Sequence, residues 1–126
     1  ERLLSDFPEC LELWKKSQSH YKSFQYRESL DNARLCVELF LKFLLGNSKS
    51  LENQRADLGR WLGESNVPNE IENMVWDSIA KYSRVQNEHI KHYVPTELTV
   101  NEVILILDQT YSILKYLART YKKEQS

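Results

Sequence analysis

At 126 residues the chain has the length of one domain, and a formal net charge of −1 excludes any general electrostatic pull toward nucleic acid or anionic membranes. Hydrophobic residues make up 41% and charged residues 28%, the balance of an ordinary globular protein with a core rather than of a disordered chain. No apolar stretch approaches the roughly 20 residues of a membrane span, and the N-terminus lacks the basic start and apolar core of a signal peptide. Two cysteines, Cys10 and Cys36, suggest no disulfide framework. Cys36 lies in an apolar run and reads as a buried core thiol, which fits a reducing, cytoplasmic setting. The chain opens on Glu1 rather than Met, as an excised domain or a processed chain would.

Three glycines and three prolines are few, and all six fall at element boundaries or in one short helix, so an all-α chain is expected. The first helix is predicted over Phe7 to Tyr21. Ser5 or Asp6 is its expected cap, Pro8 sits in its first turn, and Leu11, Trp14 and Tyr21 form its apolar stripe with Leu4. The second is predicted over Tyr26 to Leu45. Leu30, Ala33, Val37, Phe40, Leu41 and Leu44 recur at three and four. Leu35, Cys36, Leu39 and Phe43 widen that stripe, so burial on more than one side is expected. Gly46-Asn47 should end it as a left-handed cap.

A short third helix is predicted over Ser50 to Leu62, capped by Ser50, with Leu51, Leu58, Trp61 and Leu62 inward. The fourth starts at Pro68-Asn69 and is predicted to reach Lys91, with Ile71, Val75, Ile79, Tyr82 and Val85 as its stripe. Val94-Pro95-Thr96 breaks the chain. The fifth follows a Thr99 cap with Glu102 three residues on, a capping box, and carries Val103, Leu107, Tyr111, Leu114, Leu117, Ala118 and Tyr121. The tail from Lys122 to Ser126 should fray. The sum is one domain over residues 1–126: an up-and-down antiparallel helical bundle of four long helices and one short one.

The chemistry-bearing residues concentrate at the end of the fourth helix, in Ser83-Arg84-Val85-Gln86-Asn87-Glu88-His89-Ile90-Lys91-His92-Tyr93. A metal site is not expected there. His89 and His92 can share a face, but the chain holds no Glu-x-x-His of the kind bundle di-iron sites use. No Gly-x-Ser-x-Gly elbow and no glycine-rich phosphate loop occurs, so classical hydrolase and nucleoside-triphosphate chemistry are not expected, and no cofactor is called for. Histidine can move a proton near neutral pH, arginine can hold a phosphate through its planar fork, and asparagine can fix either. Those residue types suit metal-independent RNA cleavage, in which a 2′-hydroxyl attacks the adjacent phosphate. The residues alone leave a second reading open. His89 falls seven after Tyr82 and four after Val85 and can line the core, while Arg84, Glu88 and either Lys91 or His92 can form a solvated face with i, i+4 pairing. Seven tyrosines and three tryptophans leave Tyr26, Tyr93 and Tyr116 either on an interface or half-buried at the bundle rim.

A helical bundle with this cluster near the end of its fourth helix resembles the HEPN superfamily, whose motif is an arginine, often followed by asparagine, and a histidine four to six residues on. Two registers fit. Arg84-x4-His89 meets the spacing with Val85 in place of the usual polar residue. Gln86-Asn87 followed by His92 keeps the rhythm with Gln86 where arginine is expected, and Arg84 one turn back as substitute cation. The second register, with Asn87 and His92 as the pair, is preferred. The tyrosine that some family toxins carry two residues past the histidine is not matched by Tyr93. The resemblance implies a homodimeric, metal-independent endoribonuclease of bacterial defence or toxin–antitoxin systems. RNA would be the substrate and an antitoxin or companion domain a partner. His92 or His89 would transfer the proton, Arg84 would hold the scissile phosphate and Asn87 would orient the cluster. It equally implies the family's other role, an inactive dimerisation or binding module for nucleotide, RNA or protein.

Overall fold

The computed structural model describes residues 2–85 and 99–125. They form an all-α bundle of five helices: α1 (Pro8–Lys22), α2 (Tyr26–Leu45), α3 (Arg55–Glu64), α4 (Asn69–Val85) and α5 (Val100–Gln125), with single 3-10 turns at Arg2–Leu4 and Leu51–Asn53. Among the described residues none of the helices is long and apolar enough to cross a membrane. α2 is the central element and packs against α1, α3 and α5, while α4 packs against α3 and α5.

The helix boundaries follow from local chemistry. Pro8 opens α1, where its missing amide hydrogen costs nothing. Neither Ser5 nor Asp6 caps α1: Phe7 holds the capping position, with no side-chain hydrogen bond, because it turns inward. Its ring lies 4.8 Å from Phe40 and 5.3 Å from Tyr121, both edge-on, so burial decides the residue at this end. The α1–α2 turn places Phe24 at φ 62, and the Gln25 amide donates to the His20 carbonyl at 2.8 Å. Gly46 ends α2 at φ 64, in the left-handed region that suits glycine.

Leu30, Ala33, Cys36, Val37, Phe40, Leu41 and Leu44 of α2 are buried, as the periodicity requires. Leu35 and Phe43 are not: they are 44% and 51% exposed, and Leu39 is only half-buried. The widened stripe therefore outruns the partners the bundle supplies, since α1, α3 and α5 leave the 35–43 edge of α2 uncovered. In α1, Trp14 is buried with Cys10 and Ser17, while Leu11 and Tyr21 are half-buried.

Polar groups hold the α1–α2 seam. Ser17 Oγ donates to the Ser29 carbonyl at 2.7 Å, and Ser29 Oγ donates to the Ser17 carbonyl at 2.8 Å. Cys36 Sγ donates to the Cys10 carbonyl at 3.2 Å. The hydrogen bond with Cys10, and then burial, push the Cys36 thiol up, which keeps it protonated and out of nucleophilic chemistry.

Between α2 and α3 the expected continuous helix is instead a 3-10 turn followed by α3. Ser50 does not cap a helix with its side chain; its hydroxyl accepts from Asn53 Nδ2 at 2.8 Å. Leu51, Leu58 and Leu62 are buried and Trp61 half-buried. In α4, Val75 and Ile79 are buried, Ile71 and Tyr82 half-buried, and the Tyr82 hydroxyl donates to the Leu30 carbonyl at 3.0 Å. The predicted extension of this helix to Lys91 lies outside the described residues, as does the break at 94–96.

At the start of α5, Glu102 reaches back to the Thr99 amide and hydrogen-bonds the Thr99 hydroxyl, the reach-back half of the capping box. Val103, Leu107, Leu114, Leu117 and Ala118 are buried. In the tail, α5 continues to Gln125, and Lys122 lies 3.9 Å from Asp6. Tyr26 and Tyr116 are half-buried at the rim. Tyr93 is outside the described residues.

Candidate functional site

Arg84 stands in the last turn of α4, with its side chain exposed and without an ion-pair partner among the described residues. Trp76 and Ala80 lie eight and four residues before it, so the three share one face of the helix. That face borders a cleft of about 330 Å³, closed on its other side by Leu51 and Glu52 of the 3-10 turn. Ser83, buried at the cleft wall, donates its hydroxyl to Glu52 Oε1 at 2.8 Å and so ties α4 to that turn.

Glu52 is the anionic centre of the cleft. Arg34 Nη2 donates to its Oε1 at 2.8 Å, and the same guanidinium lies 3.8 Å from Glu38. Glu38 in turn accepts the Leu51 amide at 3.2 Å and lies 3.6 Å from Lys42. Burial by itself raises the Glu52 carboxyl. Hydrogen bonds from its own backbone amide, from Ser83 and from Arg34, together with the Arg34 charge, outweigh burial and hold it down at about 2. It is ionised at any physiological pH.

Because the folded value lies below the usual glutamate range, Glu52 contributes stability that is complete above about pH 4.5 and lost as pH falls toward 2. The side chain is 43% exposed, so solvent screening limits the effect. Glu52→Gln is expected to lower stability by about 1 kcal/mol or less at neutral pH. The gap should narrow between pH 5 and pH 3 in urea titrations of the two proteins. A gap that stays constant with pH would show that Glu52 is not linked to folding in this way.

Of the residues singled out in the sequence, Arg84 is placed on this cleft, while Asn87, His89 and His92 lie outside the described residues. The third histidine, His20, is structural: its Nδ1 lies 2.8 Å from Gln25 Oε1 across the α1–α2 turn. Among the described residues no three His, Cys, Asp or Glu side chains converge as a metal site would need. Glu52, Trp76 and Ala80 are the cleft residues that sequence reading missed, and Ser83, though it opens the stretch singled out, was given no role there. Trp76 alone left a signal, its four-residue spacing to Ala80 and Arg84. Glu52 and Ser83 meet across 31 positions, and no local pattern reports that.

Compared with protein-family models, with curated proteins and with solved structures, the chain matches none.

Proposed function

We propose that this chain is a HEPN-like domain that cleaves RNA without a metal, as a homodimer, in a cytoplasmic defence or toxin–antitoxin system. One observation carries the reading. An exposed arginine, with no carboxylate paired to it among the described residues, stands on an open cleft at the point where α4 leads into Asn87, His89 and His92. An arginine tied up in an ion pair would have favoured a structural role. Arg84 would hold the scissile phosphate, His92 or His89 would move the proton, and Asn87 would orient them. The uncovered Leu35 and Phe43 of α2 offer apolar area that a second copy can bury.

A second reading, an inactive binding or dimerisation module, is favoured by Glu52. Its ionised carboxylate shares the cleft with Arg84 and opposes a phosphate there, even with Arg34 beside it. Gln86, standing where the family expects arginine, points the same way.

Incubation of mixed RNA with the protein in EDTA decides between them. Cleavage is expected, with Arg84→Ala and one of His89→Ala or His92→Ala reducing it by about a hundredfold or more, the usual scale for a lost acid–base group. A folded, dimeric protein that leaves RNA intact would sink the nuclease reading and leave the module. A monomer at micromolar concentration would sink the shared-cleft arrangement.

A further inference from the structure

Trp76 is unused by the chemistry proposed above. Its indole is half-buried and borders two hollows. One is the Arg84 cleft. The other is a small recess shared with Asn73, Glu72 and Arg55, whose guanidinium carbon lies 6.0 Å from the ring centroid. Like Trp61, Trp76 packs against the core and keeps part of its ring outside it, whereas Trp14 is covered to 5% exposure. Trp76 lies between two arginines, at the edge of open space.

The spacing is informative. Eight residues of helix separate Trp76 from Arg84, about 12 Å at the α-helical rise. Ala80 lies between them and has no side chain beyond Cβ to block the floor. An aromatic face, a small residue and a guanidinium in a row suit a chain that presents a flat ring and then an anion. Single-stranded nucleic acid is such a chain: bases stack on aromatic side chains whatever their identity, while arginine meets the phosphodiester. Duplex is disfavoured, since its bases are already stacked on each other. Arg55 and Arg84 supply the complementary charge, set against Glu72 in the recess and against Glu52 in the cleft, whose charge Arg34 offsets in part.

We propose that Trp76 is a stacking platform for a base of single-stranded RNA, placed so that a neighbouring phosphate of the same strand reaches Arg84. The inference rests on reading the Arg84 cleft as an RNA site.

The test uses protein carrying His89→Ala and His92→Ala, so that substrate survives, and a fluorescently labelled oligouridylate read by anisotropy in EDTA. Trp76→Ala should weaken binding about tenfold, the usual scale for one stacked base, and Trp76→Phe should restore most of it. Trp76→Ala should leave the salt dependence of binding unchanged, whereas Arg84→Ala should reduce its slope by about one contact. Equal binding by Trp76→Ala and its parent, with Arg84→Ala weakened, overturns the platform and leaves the RNA site standing. No single-strand binding by the folded parent overturns both. If Trp76→Ala fails to fold, indole emission in protein with Trp14→Phe and Trp61→Phe decides: quenching by the RNA supports stacking, and unchanged emission overturns it.

Discussion

Phe40→Ala should cost about 3–5 kcal/mol, the largest loss expected from any single core truncation here. Phe40 is fully buried in the middle of α2. Its ring meets Phe7 edge-on at 73°, and Phe7 meets Tyr121 edge-on in turn. Removing it opens a void and also takes away the surface on which the start of α1 rests. A domain of this size holds roughly 5–15 kcal/mol in total, so the variant should be near its unfolding threshold at ambient temperature. Urea unfolding followed by circular dichroism reads the loss directly. A midpoint shift worth less than about 1 kcal/mol would mean that the α1–α2–α5 aromatic contact does not hold the bundle together.

Gln54→Leu should cost about 2–3 kcal/mol, though it replaces a polar side chain by an apolar one of similar size in the interior. Gln54 is fully buried and exchanges both halves of its amide with Asn47 at 2.8 Å: its Nε2 donates to Asn47 Oδ1, and its Oε1 accepts from Asn47 Nδ2. Nε2 also donates to the Lys49 carbonyl at 3.0 Å. Asn47 donates further to Asp57, which Lys49 approaches at 3.0 Å. Leucine would take away three hydrogen bonds at once, leaving Asn47 only its bonds to Asp57 and the Lys49 amide, and the Lys49 carbonyl without its side-chain donor, and a polar group that loses its partner costs more than its hydrogen bond contributes. The loss should be strongly coupled to Asn47: in a double-mutant cycle, Gln54→Leu should cost much less once Asn47 is already Ala. Additive losses would show that the two amides act independently.

α2 was legible in the sequence from end to end. Its apolar residues recur at helical spacing, and Gly46 marks the stop. What the periodicity could not say was which part of a wide stripe finds a partner, so Leu35 and Phe43 read as core although the bundle leaves them at the surface. Polar core residues were illegible for a related reason. Ser17, Ser29 and Gln54 look like surface residues until the partners that satisfy them are seen. Phe7 misled in the opposite direction, since a capping rule pointed to Ser5 or Asp6 and burial of an aromatic ring prevailed. At the site, Arg84 could be picked out because arginine beside histidine is a chemical signal. Glu52 could not, nor could the bond that Ser83 makes to it, because the fold alone brings those two together.

The serine pair between α1 and α2 has a consequence for how the hairpin settles. Two apolar helices held by dispersion alone could slide past each other by a turn and find another tolerable fit, since Leu, Val and Ala make few demands of one another. A turn of sliding would strip Ser17 and Ser29 of their mutual bonds at once, leaving two hydroxyls stranded in hydrocarbon. The pair therefore acts as a detent: it adds little to the depth of the correct minimum and much to the height of its neighbours.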